Sequence, residues 1–309
     1  MRALQQHSFR GPRDLRLVTD VPVPTPGPGE VLIRVTAAGV NLADVTQTYG
    51  RYGGGPQPPY LAGFEGAGEI VALGPGTTGF TVGDHVIGTG YGAFAEYQVL
   101  SDATPVPPGW DDEQALGLML NWGTAVAALK PLGRLAAGET VLIPAAAGGV
   151  GQAAVRAAVH YGATVLATAS PAKHDVVRAL GAEIVDVRDQ RDVDLVLESI
   201  GGDTFAASLA AARPFTGRVV VYGLASGEAA VTNHQLVFDH PVQVVGLHIG
   251  RLRTDAPDLF AAVVSELETL RAAGVLTPGT PTVHDLADGP EALQRLETRR
   301  TIGKLALKP

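Results

Sequence analysis

One short run of small residues has the spacing of a phosphate-binding turn. Residues 146–151 read AAGGVG, the pattern G-x-G-x-x-G with alanine at its first position, between a strand-like segment at 141–144 and a helix-like one that continues to about His160. Glycine at 148 lets a pyrophosphate approach the backbone, and glycine at 151 lets helix and strand pack closely. Free N–H groups at the helix start would hold the phosphates. The alternative is a glycine-rich turn without a ligand, but the strand, helix and further strands around the motif favour dinucleotide binding.

The end of the next strand-like segment indicates which dinucleotide is preferred. An acidic residue about 20 positions after the turn would bond the ribose 2′-hydroxyl of NAD. Here Ser170 and Lys173 occupy that region, and the first acid is Asp175. A hydroxyl and an ammonium suit a 2′-phosphate, whereas a carboxylate would repel it. The sequence therefore favours NADPH, although Ser170 can also cap a helix and Lys173 can be a solvated first-turn residue.

These candidates are positioned by a repeating rhythm of strand and helix that begins near Thr140. Continuous Val, Ile and Leu runs joined by helical stretches are typical of a parallel sheet covered on both faces. The pattern predicts an α/β fold with a doubly wound dinucleotide-binding domain. The six predicted strands are 141–144, 164–169, 183–186, 193–198, 218–222 and 242–249.

The segments on either side of that domain have a different character. Up to about Gly109, short apolar runs alternate with glycine and proline, which indicates antiparallel β structure. A helical stretch rich in Ala and Leu follows from Asp111 to Leu132. Beyond Gly250, a helix at about 257–273 and a short β tail ending GKLAL do not extend the strand–helix pattern. We expect this last part to pack back on the first domain.

Composition excludes several classes of function. The chain has 23 Lys and Arg against 31 Asp and Glu, for a net charge of −8, with no long run of one sign. Nucleic acid and anionic membrane surfaces are therefore not expected partners, since both require clustered positive charge. The absence of cysteine removes disulfides, thiolate nucleophiles and cysteine-based zinc sites. With no signal-peptide pattern and no apolar run of about 18 residues, we expect a cytoplasmic protein.

Separated motifs in a fixed order carry a resemblance to a known family. The chain resembles the medium-chain dehydrogenase/reductase superfamily, and within it the zinc-independent quinone oxidoreductase-like branch. The resemblance implies a discontinuous GroES-like catalytic domain, 1–118 with 252–309, around a Rossmann domain at 119–251, with the active site in the cleft. The motifs are 38–44 (AGVNLAD), 63–68 (GFEGAG), 82–86 (VGDHV), 121–125 (NWGTA), 145–151 (AAAGGVG), 180–182 (LGA), 199–203 (SIGGD) and 303–304 (GK).

The positions that bind catalytic zinc in metal-dependent relatives are changed here. They correspond to Asn41 and Phe64, with only Glu65 retained. One carboxylate cannot replace three protein ligands, and no histidine pair has a ligand-rich context, His234 and His240 included. The sequence therefore predicts no metal site, and a zinc alcohol dehydrogenase is excluded.

The resemblance implies an NADPH-dependent quinone reductase that works without zinc. An enone or enoyl-thioester reductase is the alternative, because polyketide enoyl reductase domains share the N-x-x-D and AAGGVG patterns. A third possibility, from a different class, is an NADPH-binding protein without turnover. We also expect a homodimer formed through the edge strand at 242–249.

The resemblance places Asn41 near the nicotinamide or substrate and Thr124 near the cofactor. Asn41, Tyr52 and Asp44 are the candidate catalytic residues, with Tyr49 and Tyr91 as further possible proton donors or aromatic walls. The alternatives are a loop-shaping role for Asn41, a turn cap for Asp44 and a packing or surface role for each tyrosine. Two departures from the branch are Thr46, where many members have tyrosine, and Val187 or Arg188, where another tyrosine is expected; Arg188 is a candidate replacement contact for the 2′-phosphate. The candidate cofactor-binding residues are Asn41, Thr124, Ala147, Gly148, Gly149, Val150, Gly151, Ser170, Lys173, Gly223 and Lys304.

Overall fold

The computed structural model describes residues 1–309, which divide into two compact units. Unit 1 combines Met1–Met119 with Pro278–Pro309, and unit 2 is Leu120–Thr277. The mixed α/β architecture predicted from the sequence is confirmed, with mainly antiparallel sheets in one unit and a parallel sheet in the other.

The N-terminal part of unit 1 forms short strands separated by turns. Its strands are β1 (Ala3–Gln6), β2 (Leu15–Val18), β3 (Val31–Val40), β4 (Tyr60–Leu61), β5 (Glu65–Leu73), β6 (His85–Thr89), β7 (Tyr97–Leu100) and β8 (Thr104–Pro105). Its α-helices are α1 (Leu42–Thr48) and α2 (Asp112–Ala115). A small antiparallel sheet has the order β2-β1-β4, and β3 and β5 form the long central pair of a larger one.

Unit 2 contains the parallel sheet and the helices that cover it. Its helices are α3 (Gly123–Leu129), α4 (Gly149–His160), α5 (His174–Ala179), α6 (Gly202–Ala211), α7 (Ile249–Asp255) and α8 (Pro257–Ala272). Its strands are β9 (Thr140–Ile143), β10 (Thr164–Ala167), β11 (Glu183–Ile184), β12 (Leu195–Glu198), β13 (Arg218–Val221) and β14 (Gln243–Gly246). The order β11-β10-β9-β12-β13-β14 is that of the doubly wound dinucleotide-binding fold, so this prediction is confirmed.

The C-terminal segment returns to unit 1, where it forms β15 (Thr282–Asp285), α9 (Gly289–Glu297) and β16 (Leu305–Lys308). The larger sheet of unit 1 has the order β15-β16-β3-β5-β6-β8, with β7 paired to β3. Strand β16 runs antiparallel to β3, with Leu305 opposite Val40. The tail thus completes the first unit.

Helix α8 differs from the sequence expectation, which grouped it with that tail. The helix lies in unit 2, where it packs against α3. Its buried residues are Val263, Leu267 and Leu270, a spacing that forms one apolar face. The apolar face of α8 is therefore buried within unit 2. The chain returns to unit 1 only at Pro278.

No helix in the chain is both long and apolar enough to cross a lipid bilayer.

Candidate active site

Three strand ends of unit 1 converge on one cluster of polar side chains. Asn41 follows the last residue of β3, Glu65 is the first residue of β5, and Lys304 precedes β16. In the antiparallel registers, Gly39 pairs with both Glu65 and Ala306, and Leu305 pairs with Val40. The sheet therefore brings together residues from three distant parts of the sequence.

The cluster is a connected set of hydrogen bonds, most of which involve a charged group. Lys304 Nζ donates to Asn41 Oδ1 at 2.6 Å and to Glu65 Oε2 at 2.5 Å. Asn41 Nδ2 donates to the Gly39 carbonyl at 3.1 Å and to Glu65 Oε2 at 3.3 Å. The other carboxylate oxygen of Glu65 accepts from the Gly117 N–H at 2.7 Å. Glu65 is fully buried, so the ammonium and these N–H groups compensate its charge.

Gly39 leaves the space that this cluster needs. A Cβ atom at position 39 would overlap Glu65 Oε2 and would lie 2.9 Å from Lys304 Cε. Glycine is therefore required at this position because the Glu65 and Lys304 side chains approach the backbone closely. The Gly39 carbonyl in turn accepts a hydrogen bond from Asn41.

Asp44 lies beside the cluster with half of its carboxyl group unpaired. Its Oδ2 accepts from the Asn41 backbone N–H at 2.7 Å, at the first turn of α1, while its Oδ1 has no hydrogen-bond partner. Burial raises the pKa of Asp44 from 3.8 to about 7, although the positive charge of Lys304 opposes the shift. A buried carboxyl with this pKa can hold a proton near neutral pH.

Three aromatic rings form a cluster around Phe64, the residue that precedes Glu65. The Phe64 ring lies 4.9 Å from that of Tyr52 and 4.7 Å from that of Tyr91, measured between ring centroids. Burial raises the pKa of both tyrosines, with smaller contributions from neighbouring acidic groups. The planes of Tyr52 and Tyr91 are inclined to that of Phe64 by 50° and 52°, so the three rings form a tilted aromatic cluster.

Two other residues considered from the sequence are engaged elsewhere. The Tyr49 hydroxyl donates to Glu297 Oε1 at 2.7 Å, so this tyrosine is tied to helix α9. Thr46 donates its hydroxyl to the Leu42 carbonyl within α1.

The glycine-rich turn of unit 2 has the shape expected of a phosphate-binding site. It connects β9 to α4, which begins at Gly149. A Cβ at Gly148 would meet only the Ala145 carbonyl at 3.5 Å, and the residue is exposed, so the fold itself does not require glycine there. A Cβ at Gly151 would lie 2.6 Å from the Ala145 oxygen, so glycine is required for packing. The open backbone at Gly148 fits the close approach of a pyrophosphate.

The other members of the motif and Thr124 are also in unit 2. Ala147 is buried at the base of the turn, and Val150 is half-buried in the first turn of α4. The Thr124 hydroxyl donates to the Leu120 carbonyl at 2.6 Å, which leaves its oxygen able to accept.

Asn121 is a residue near the turn that the sequence did not identify as functional. A Cβ at Gly149 would lie 2.9 Å from Asn121 Oδ1, so this amide lies against the first turn of α4. Asn121 belongs to a π-helical segment, Leu118–Trp122, a distortion common at functional sites. The motif NWGTA contained this residue, but nothing in the motif indicated its contact with Gly149.

The residues proposed for the 2′-phosphate follow strand β10. Ser170 precedes a short 3₁₀ turn, Pro171–Lys173, and its carbonyl accepts from the Lys173 N–H at 2.9 Å. The Ser170 hydroxyl makes no capping bond and the residue is exposed. Its side chain therefore remains accessible to a ligand.

Arg188 follows strand β11, and Gly223 follows strand β13. The Arg188 backbone N–H donates to Asp186 in a short turn after β11. A Cβ at Gly223 would lie 2.7 Å from the Ser199 carbonyl, so glycine there is required where two strand-end loops meet. Carboxyl ends of parallel strands form the ligand edge of this fold.

The side chains at the zinc-binding positions form a different kind of site. Phe64 has no ligand atom, and the Glu65 carboxylate is already bonded to Lys304 and Gly117. The structure brings no three His, Cys, Asp or Glu side chains into a metal-binding group.

The sequence of this chain matches two known domain families. Residues 27–108 match the alcohol dehydrogenase GroES-like domain, and residues 145–307 match the zinc-binding dehydrogenase domain. The chain therefore belongs to the medium-chain dehydrogenase/reductase family, an oxidoreductase family, and its relation to the quinone oxidoreductase-like members is confirmed.

Solved structures similar to the whole chain include proteins with different described activities. A mycobacterial protein complexed with NADPH superposes with a TM-score of 0.92 at 31% identity and full coverage of both chains. A quinone oxidoreductase from Pseudomonas syringae gives 0.91 at 31% identity, covering 100% of this chain and 99% of that one. The CurK enoyl reductase gives 0.88 at 28% identity, covering 99% and 98%.

Among curated proteins, polyketide synthases are similar over a small part of their length. The polyketide synthase GfsB of Streptomyces halstedii is 39% identical over 292 residues, which is 90% of this chain but 5% of that protein. The chain thus spans only a small part of the length of this polyketide synthase.

Proposed function

We propose that this protein is a zinc-independent reductase that uses NADPH to reduce quinones. The observation that carries the proposal is the Lys304–Asn41–Glu65 cluster, which supplies an ammonium group in a largely buried site where metal-dependent relatives would bind zinc. The aromatic cluster of Tyr52, Phe64 and Tyr91 belongs to the same unit, and we propose that it contacts a flat acceptor.

The turn of unit 2 is the proposed cofactor site. The backbone at Gly148 and the start of α4 would hold the pyrophosphate, and Ser170 with Lys173 would bind the 2′-phosphate. NADPH held at this turn would supply a hydride, which with one added proton converts the acceptor to the reduced product and leaves NADP⁺. The NADPH complex of a similar mycobacterial protein supports NADPH as the cofactor.

The side chains of unit 1 are proposed to act on the acceptor. The polar cluster stabilises negative charge that develops on a carbonyl oxygen. Asp44, with one unpaired oxygen and a pKa of about 7, is the candidate source of the proton, and Tyr52 is the other. The aromatic side chains exclude water and orient a planar ring.

A reductase acting on activated C=C bonds is the alternative function. The similarity to a polyketide synthase and to the CurK enoyl reductase favours it specifically. The same cluster would then stabilise the enolate oxygen of an enone or thioester. An NADPH-binding protein without turnover is the remaining, non-enzymatic hypothesis.

Product analysis separates these functions. The protein is incubated with NADPH deuterated at C4 and, in separate reactions, with 1,4-benzoquinone, an α,β-unsaturated ketone and crotonyl-CoA. The proposal predicts hydroquinone formation as the most efficient reaction. A saturated product with deuterium on the β-carbon, and no hydroquinone, would favour the alternative. No oxidation of NADPH above the uncatalysed rate would contradict both enzymatic functions.

We also propose a homodimer formed through β14. This edge strand of the parallel sheet exposes unpaired backbone groups, and Val244 is 37% exposed. The neighbouring Phe238 is also exposed. Light scattering should show a dimer that Val244→Lys dissociates, whereas Val283→Lys on β15, the edge strand of the other sheet, should not change it. A wild-type monomer, or a dimer broken only by Val283→Lys, would contradict this interface.

A further inference from the structure

We propose that the Lys304 ammonium, and not the Asn41 amide, donates the hydrogen bond to the carbonyl oxygen of the acceptor. The inference rests on the proposed reductase function and assigns a catalytic role to a lysine that the sequence had placed among the cofactor-binding residues. It follows from counting the donors of the polar cluster.

The N–H groups of Asn41 are already used. A side-chain amide has two N–H donors. Asn41 Nδ2 donates to the Gly39 carbonyl at 3.1 Å and to Glu65 Oε2 at 3.3 Å. A bond from this amide to a substrate oxygen would require one of these buried partners to be abandoned, at a cost of the order of 1–3 kcal/mol.

The orientation of the Asn41 amide is fixed by the lysine. Lys304 Nζ, which can only donate, lies 2.6 Å from Asn41 Oδ1. Rotation of the amide by half a turn would place an N–H group against the ammonium and would remove an acceptor from it. Asn41 is therefore a positioning residue, which holds the ammonium through its oxygen.

Lys304 has a donor to spare. An ammonium carries three N–H groups, and only two of them are used, by Asn41 and Glu65. The Lys304 side chain retains 12% exposure, while that of Glu65 has none. The third N–H is the only donor of the Asn41–Lys304–Glu65 set that is not already committed.

The surroundings hold this ammonium in place before a substrate binds. Glu65 is fixed by the Gly117 N–H, and the pairing of Leu305 with Val40 anchors the lysine backbone beside Asn41. A charged donor with a fixed position stabilises developing oxyanion charge without reorganisation, which is how such donors contribute most to catalysis.

Three lysine variants of this chain test the assignment. In Lys304→Met, kcat at saturating NADPH should fall on the order of 100-fold or more, whereas the Kd for NADPH, measured by fluorescence without acceptor, should stay near the wild-type value. Lys173→Met should show the opposite pattern, with a raised Kd and little change in kcat. Lys308→Met, on the exposed end of β16, should change neither.

A substituent series distinguishes a catalytic role from a structural one. Loss of the ammonium should make kcat depend more steeply on electron-withdrawing substituents of the quinone, because the ring must then stabilise the charge alone. A merely structural defect would lower all rates by a similar factor. The double variant Glu65→Gln/Lys304→Met provides the same readout without an unpaired buried carboxylate, should the single variant fold poorly.

The outcomes decide between the assignments. A raised Kd for NADPH with unchanged kcat in Lys304→Met would overturn the inference and return the lysine to cofactor binding. An unchanged kcat and an unchanged Kd would overturn it as well. A wild-type protein inactive with every acceptor would instead refute the proposed function, and the inference with it.

Discussion

Lys304 donates a hydrogen bond to the side chain of Asn41, at 2.6 Å, although the two residues are 263 positions apart in the sequence. The antiparallel pairing of β16 with β3 brings them together, since Leu305 lies opposite Val40. Lys304, near the end of the chain, therefore completes a polar site whose other two side chains, Asn41 and Glu65, lie within the first 65 residues.

Substitution of Gly39 should disrupt this relationship. In Gly39→Ala the added Cβ would overlap Glu65 Oε2 and crowd Lys304 Cε. Overpacking of this kind costs about 1–3 kcal/mol, and displacement of the lysine should also lower kcat. Chemical denaturation and steady-state kinetics measure the two effects. Gly53→Ala is the control, because a Cβ there meets nothing within 4 Å. Equal stability and activity of the two variants would show that Gly39 is not a constraint.

Asp44 should make stability depend on pH in a defined window. Burial raises its pKa from 3.8 to about 7. Between these values the unfolded chain has lost the proton and the folded protein keeps it, so the contribution of Asp44 to stability is complete below 3.8 and is lost as the pH rises to about 7. Relative to Asp44→Asn, the free energy of unfolding of the wild type should fall by about 1.4 kcal/mol per pH unit in this window. A difference that does not vary with pH would contradict the buried protonated carboxyl.

The two glycines of the phosphate turn should respond differently to substitution. Gly148→Val should abolish NADPH binding and leave the fold intact, because a side chain there extends into open space. Gly151→Ala should instead reduce stability by about 1–3 kcal/mol, since its Cβ meets backbone. Circular dichroism, thermal melting and NADPH titration test both. Tight NADPH binding by Gly148→Val would show that the cofactor does not use this turn.

Lys173 should determine the preference for NADPH over NADH. Lys173→Ala should raise the KM for NADPH. The lost charge-assisted bond to the 2′-phosphate should weaken binding by roughly 1.5–3 kcal/mol. NADH lacks that phosphate, so its KM should be nearly unchanged. Parallel steady-state measurements with the two cofactors give the answer, and equal effects on both would remove Lys173 from the 2′-phosphate site.

The strand–helix domain could be predicted because its signals are local. Each of the six predicted parallel strands overlaps a strand of the structure, and α4 begins at Gly149 as the turn motif indicated. Buried parallel strands consist of continuous apolar runs, and the turn between them needs glycine at defined positions. Helix α8 shows what such local signals do not predict. Its apolar face is evident from the sequence, but the partner of that face, α3, is not.

The candidate side chains of the site could be identified one by one from the sequence, but their arrangement could not. Asn41 and Lys304 were selected through family motifs, each for contact with a ligand. Their mutual hydrogen bond depends on strand register across most of the chain, and no local pattern encodes it. The same holds for Glu65. No role could be given to this residue from the sequence, whereas in the structure its buried carboxylate is the counter-charge of Lys304.

Zinc-independent quinone reduction is tested by oxidation of NADPH by chelator-treated protein in the presence of 9,10-phenanthrenequinone. We expect multiple turnovers that EDTA does not reduce, that proceed better with NADPH than with NADH, and that yield the hydroquinone. Activity that disappears on chelation and returns with zinc, or no turnover of the quinone by protein that binds NADPH, would contradict it.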